Sequence, residues 1–240
     1  LPVFYLICFL VILVAAFSST DIKFVKVLSV SSSVLFFGLI AFMYTNAGMT
    51  LGDLGSSASN ITGYFTNIHQ FVTPLTEYHE FYLFWWFAWS IMIGQFVSRF
   101  VGGLKTYQLL AALLIFPSIP LALWFSVLYF YFLNGIGTEG IPNWAMTVVG
   151  IVFVVNSFDS LIRLYTDNLN LTTERFGTVS YVLANAIGLF ALTLLFQSQW
   201  LQIQWVGTVV IAIYLGALAY MFFVKRHHMK DLDGQAAPLN

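Results

Sequence analysis

Apolar positions in this chain run together in stretches close to the roughly 20 residues that a helix needs to cross hydrocarbon. Seven such stretches fall at about Pro2–Phe17, Val27–Tyr44, Tyr82–Val101, Tyr107–Leu133, Trp144–Tyr165, Gly177–Phe196 and Ile203–Val224. The segments between them are too short to build a soluble domain. The pattern predicts an all-α membrane protein, a seven-helix bundle over residues 1–224 with a polar tail at 225–240. The first stretch looks like the core of a secretory signal, but no basic residue or initiator Met precedes it, so it is expected to be a span.

The longest connection, Thr45–Phe81, carries a second periodicity. SSASN at 56–60 supplies capping residues, and Ile61, Tyr64, Phe65, Ile68 and Val72 then recur at helical spacing until Pro74 stops the pattern. An amphipathic helix over about 60–73, lying on the outer membrane surface, is expected.

Composition agrees with the pattern. The chain is 60% hydrophobic, 18% aromatic and 8% charged, where a soluble domain carries roughly a quarter charged residues. A formal net charge of −1 gives no footprint for a nucleic-acid partner. Cys8 is the chain's one cysteine and cannot form an intrachain disulfide. The cations set the expected orientation. With seven spans, Lys23, Lys26, Arg99, Lys105, Arg163, Arg175, Lys225, Arg226 and Lys230, all nine Lys and Arg, fall on one side, and cytoplasmic loops are the ones enriched in such residues. The N-terminus is therefore expected outside and the C-terminus in the cytoplasm.

Two stretches could carry chemistry. Wound as a helix, residues 80–103 place Tyr82, Trp86 and Trp89 on one stripe with Trp85 beside it. Such a stripe reads either as an interfacial aromatic belt or as a wall of π-surface for weakly hydrated cations, worth about 0.5–2 kcal/mol per contact. Ser90, Gly94 and Ser98 repeat every fourth residue, a small-residue pattern that lets membrane helices pack closely. The second stretch is NSFDSLIR at 156–163, where an apolar span turns polar. Asp159 and Arg163 are one turn apart and are expected to pair, and the segment reads either as an ordinary helix end or as an ion or substrate route. Asn156 and Ser157 would then offer oxygen ligands of the kind that suit hard cations. Pro117 and Pro120 should kink the fourth span. No phosphate loop, nucleophile elbow, metal-spaced histidine pair or paired buried carboxylate is present, so no enzyme activity and no metal centre is expected.

FYLFWWFAWSIMIGQFVSRFVGG resembles the signature helix of the betaine/choline/carnitine transporter family, a W-x-W-W-x-x-W run followed by F-x-x-R-x-x-x-G. Trp85, Trp86 and Trp89 fall on the last three tryptophans and Phe96, Arg99 and Gly103 on the tail; Leu83 stands where the first Trp would be. VFVVNSFDS resembles the family's sodium-site segment F-x-x-T-S-x-D-S, with Phe153, Ser157, Asp159 and Ser160 on matching positions. Asn156 replaces the Thr whose hydroxyl would ligate sodium.

The resemblance implies more than the pattern does. Full members have twelve spans, ten of them in a leucine-transporter-type inverted repeat of five plus five, and the seven here look like the last seven. It implies a substrate site at Tyr82, Trp85, Trp86 and Trp89 for a quaternary ammonium solute, an altered sodium site at Phe153, Asn156 and Ser157, no other cofactor, and a bacterial inner-membrane location. The glycine-rich helix and the second aromatic wall of full members have no counterpart in this sequence. Two functions stay open: a partial secondary transporter needing a partner chain, or a transport-inactive scaffold or accessory subunit of a larger membrane complex.

Overall fold

The computed structural model describes residues 2–71, 76–100 and 103–225, and these contain helices only. The order is α1 (Pro2–Ser18), α2 (Ile22–Asn46), α3 (Leu51–Ser59), α4 (Thr62–Thr66), a 3-10 turn (Ile68–Phe71), α5 (Glu77–Phe100), α6 (Thr106–Leu133), α7 (Ile141–Asn168), α8 (Thr173–Phe176), α9 (Thr178–Gln197) and α10 (Ile203–Phe223). Among the described residues, five helices (α2, α6, α7, α9 and α10) are long and apolar enough to cross a membrane, and α1 is a shorter apolar helix. The tail from residue 226 onward lies outside the described residues.

Local signals explain most helix ends. Asp21 caps α2, its carboxylate accepting the Lys23 amide at 2.8 Å. Pro142 sits in the first turn of α7, where its missing N–H is not needed. At the other end of α7, Asn170 takes a left-handed φ of 56° and the Leu171 amide reaches back to the Thr166 carbonyl at 2.8 Å, closing the helix.

The connection after α2 differs from the sequence expectation. In place of one amphipathic helix over 60–73, of which residues 72 and 73 lie outside the described residues, the chain forms α3, α4 and a 3-10 turn. A capping box starts α3 early: the Thr50 hydroxyl accepts the Asp53 amide and the Asp53 carboxylate accepts the Thr50 amide. SSASN therefore ends a helix rather than starting one. The Asn60 and Asn67 amides bend back to the Ser56 and Gly63 carbonyls, at 3.1 and 2.8 Å, where α3 and α4 stop. Pro117 and Pro120 leave α6 a single helical element.

The chain forms two compact units. The first comprises residues 1–61 and 120–197. In it α1 packs on α7 and α9, and α2 on α7. Ala15 and Ala16 of α1 are fully buried beside Ile162 and Ala186; small residues allow this approach in a membrane, where packing and hydrogen bonds, not the hydrophobic effect, hold helices together. A second cluster joins Leu39 and Met43 of α2 to Val127 and Tyr131 of α6 and Val149 of α7. The Tyr131 hydroxyl donates to the Met43 carbonyl at 3.0 Å and accepts from the Asn46 amide at 3.1 Å.

The second unit comprises residues 62–119 and 198–240, and its main packing is α5 against α10. Here Gly207 of α10 is buried directly under the Phe84 ring of α5.

Candidate functional site

The two stretches singled out in the sequence lie one in each unit, and each is taken by itself. In the second unit, the Phe84 contact fixes which side of α5 meets α10. At 100° per residue, Tyr82 and Trp86 stand about 160° around the helix from Phe84, facing away from α10. Their exposure agrees: Trp86 is 58% and Tyr82 42% exposed. Trp85 and Trp89 are half-buried. Trp85 is the hub of the group, its ring edge-on to Trp86 with centroids 5.2 Å apart and tilted against Trp89 at 5.6 Å. Such pairs are worth about 0.5–1.5 kcal/mol each beyond the area they bury. The result is an aromatic wall with the Trp86 ring presented outward. Of the tail residues, Phe96 and Arg99 have side chains outside the described set.

In the first unit, the polar end of α7 is joined to α1 and α9. Asp159 is fully buried; its carboxylate accepts the Ser18 hydroxyl at 2.8 Å and the Ser160 hydroxyl at 3.1 Å. The expected Asp159–Arg163 pair does not form. Arg163 instead reaches the Ser19 and Thr20 carbonyls at 3.4 and 3.5 Å and pairs with Asp167 at 3.4 Å. The α1–α2 corner supplies those carbonyls at the helix end, so the guanidinium is drawn one turn onward and Asp159 is left to hydroxyls. Beside it the Tyr181 hydroxyl bridges Ser19 at 3.1 Å and Thr166 at 3.0 Å, both fully buried. The Tyr165 hydroxyl donates to the Asn185 side-chain oxygen. This three-helix junction was not visible in the sequence, because Ser18 and Asp159 are 141 residues apart. The only hint was SST at 18–20 closing an apolar run.

Phe153, Asn156 and Ser157 lie on one side of α7. Phe153 packs edge-on to Phe36 of α2 at 5.6 Å, and Ser157 is half-buried. The Asn156 side-chain oxygen is buried with no hydrogen-bond partner. A buried acceptor left unpaired costs about 1–3 kcal/mol. Among the described residues no cluster of three or more His, Cys, Asp or Glu could hold a metal ion.

Known proteins give a consistent picture. The chain is 26% identical to an uncharacterized transporter of Haemophilus influenzae over 58% of its own length and 26% of that protein's. It is 32% identical to the glycine betaine transporter OpuD of Bacillus subtilis over 44% of its own length and 22% of that protein's. With glycine betaine transporter 1 of Vibrio parahaemolyticus it shares 30% identity over 31% of its length and 16% of the relative's. The chain thus matches about a quarter or less of these relatives. No solved structure matches it significantly. The family described as betaine/carnitine/choline family transporter matches residues 2–131, more than half of the chain, and takes in both the α1–α2 corner and the tryptophan wall. This chain therefore belongs to the betaine/carnitine/choline transporter family, a family of membrane transporters rather than enzymes.

Proposed function

We propose that the chain is the C-terminal part of a secondary transporter for quaternary ammonium solutes, with the α5 wall as one face of the solute site. The observation that carries this reading is the outward Trp86 ring, held by Trp85 and turned away from α10. A wall used only for packing would face its neighbour helix. Quaternary ammonium holds its water weakly, so its transfer to an indole face costs little and gains about 0.5–2 kcal/mol per ring.

One wall does not close a site. Transporters built on repeats bind solute between the repeats, so in this reading the opposing face and the backbone carbonyls for the solute come from residues outside these 240, within a leucine-transporter-type fold. Sodium fits the residues present: the unpaired Asn156 oxygen and the Ser157 hydroxyl, beside the Phe153 backbone, are the oxygen donors a hard cation takes. The ion gradient supplies the energy for uptake. The positive-inside count places the N-terminus outside and the C-terminus in the cytoplasm of a bacterial inner membrane.

The test is uptake beside binding. Purified chain in liposomes should bind choline or betaine yet show no sodium-driven uptake. Uptake by the chain alone contradicts the need for residues outside these 240. Absence of both binding and uptake contradicts the transporter reading and leaves the scaffold reading standing. Orientation is checked with cysteines introduced near Asn134 and Lys23 in a Cys8→Ser background: an impermeant thiol reagent added outside should label the first site alone, and labelling of both sinks the topology.

A further inference from the structure

In the first unit, a groove of about 490 Å³ lies between the C-terminal end of α3 and the last turns of α6. Ser57, Asn60 and Ile61 form one wall, and Phe125 and Tyr129 stand on the other. Small-molecule sites run from about 300 to 1,000 Å³. At 28 residues α6 is about 42 Å long, close to a bilayer with its head groups, about 40–45 Å. Tyr129 and Phe125 stand about 6 and 12 Å from its end at Leu133. The groove therefore opens near head-group depth, within reach of a solute in water.

Its lining carries a negative potential without a formal charge. Phe125 and Tyr129, one turn apart on the same face of α6, are 60% and 37% exposed, and aromatic faces attract cations. Ser57 and Asn60 belong to the last turn and the cap of α3, the end at which the helix dipole favours positive charge. No charged residue lines the groove, so no cation of the chain competes there. A metal ion or a primary ammonium would lose water that no carboxylate here replaces. A quaternary ammonium holds its water weakly and is satisfied by the ring faces.

The hydroxyls decide the rest of the ligand. Ser57 is 5% exposed, and its hydroxyl makes no hydrogen bond among the described residues; the Tyr129 hydroxyl likewise makes none. Their neighbours are already satisfied: Ser126 donates to the Ala122 carbonyl at 2.7 Å, and the Asn60 side-chain amide to the Ser56 carbonyl at 3.1 Å. An unpaired buried hydroxyl is costly, and a wholly apolar occupant, an acyl chain or the apolar face of a helix, would leave it unpaired. We propose that this groove binds a quaternary ammonium bearing an oxygen about three bonds from its nitrogen, with the methyl groups on Phe125 and Tyr129 and the oxygen on the Ser57 hydroxyl. Free choline or betaine has that chemistry, and so does the head group of phosphatidylcholine. The site uses no residue of the α5 wall.

The experiment photolyses the purified full chain in dodecylmaltoside micelles with a choline analogue that carries a diazirine on one N-alkyl group, and maps the labelled peptides. Peptides covering residues 56–61 and 123–130 should be labelled above other exposed segments, and choline should protect them. The neutral isostere of choline, with tert-butyl in place of the trimethylammonium, should not protect, and ethyltrimethylammonium, which lacks the oxygen, should protect less well. Phe125→Leu with Tyr129→Leu removes both ring faces and should raise the choline needed for protection about five- to thirtyfold; Ser57→Ala should abolish the preference for choline over ethyltrimethylammonium. Labelling over residues 82–89 reports the α5 wall by itself, so either site can fail without the other. Labelling of the groove no stronger than elsewhere, equal protection by the neutral isostere, or unchanged protection in the folded double variant overturns the proposal. If the double variant does not fold, the wild-type comparison of choline with its isostere decides. In vesicles, weaker groove labelling in phosphatidylcholine than in phosphatidylglycerol assigns the site to the lipid head group, and equal labelling assigns it to the free solute.

Discussion

Gly207 is where α10 comes closest to α5, and its replacement gives a worked test of the packing that orients the tryptophan wall. A Cβ added to Gly207 would lie 2.6 Å from the Phe84 Cβ and 2.8 Å from its Cγ. Carbon atoms rest about 3.5–4.0 Å apart, so the overlap is roughly 1 Å. No rotamer relieves it, because the Phe84 Cβ is fixed by the backbone. In Gly207→Val the helices must separate, and overpacking of this kind costs about 1–3 kcal/mol. The gain in helix propensity over glycine offsets only a few tenths of that. Phe84→Ala removes the ring but keeps the Cβ, so it should relieve the clash in part. The valine should therefore cost at least about 1 kcal/mol less in the Phe84→Ala background than in the wild type, and still cost something. Unfolding of the four proteins by sodium dodecyl sulfate in dodecylmaltoside micelles, followed by tryptophan fluorescence, measures the cycle. A neutral Gly207→Val, or an equal cost in both backgrounds, refutes the packing argument.

Two further outcomes are expected. Tyr181→Phe should lower stability by only about 0.6–1.5 kcal/mol, because Ser19 and Thr166 keep bonds of 2.8 and 2.6 Å to the Ala16 and Ile162 carbonyls; a loss of more than about 3 kcal/mol in the same unfolding assay would mean that the hydroxyl holds the junction by itself. The Asp53 carboxyl is held below its ordinary value of 3.8 by the Thr50 hydroxyl and then by the Thr50 amide, so α3 gains stability that is present above that value and lost as pH falls through the lowered one. Amide exchange over residues 50–59 should quicken between about pH 5 and pH 3 beyond its intrinsic pH dependence; Thr50→Ala should abolish that excess, and an unchanged excess would show that the capping box is not its source.

Long-range order was legible in this sequence where it depended on runs, and illegible where it depended on contacts. The seven apolar stretches lie in helices over nearly their whole described length, and among the described residues five of those helices are long and apolar enough to cross a membrane, where a helix satisfies its own backbone groups. The tryptophan stripe followed from helical spacing alone. Its direction did not, since a glycine such as Gly207 inside an apolar run gives no sign that a phenylalanine will rest on it. Spacing also misled at Arg163, where an i, i+4 carboxylate was available but backbone carbonyls of the α1–α2 corner competed for the guanidinium. The same is true of residues 56–60, read as the start of a helix that the Thr50–Asp53 box had already begun.

The central claim is that the α5 wall binds a quaternary ammonium through its indole faces. Calorimetric titration of the purified chain with choline, compared across the wild type, Trp86→Leu and Trp144→Leu, tests it most directly. Leucine keeps the bulk of Trp86 and removes its ring face, so binding should weaken by about 1–2 kcal/mol, roughly five- to thirtyfold. Trp144, exposed in the first turn of α7, is a tryptophan outside the wall and its loss should leave binding unchanged. Equal choline affinity in the wild type and Trp86→Leu, or equal losses in the two variants, would contradict the claim.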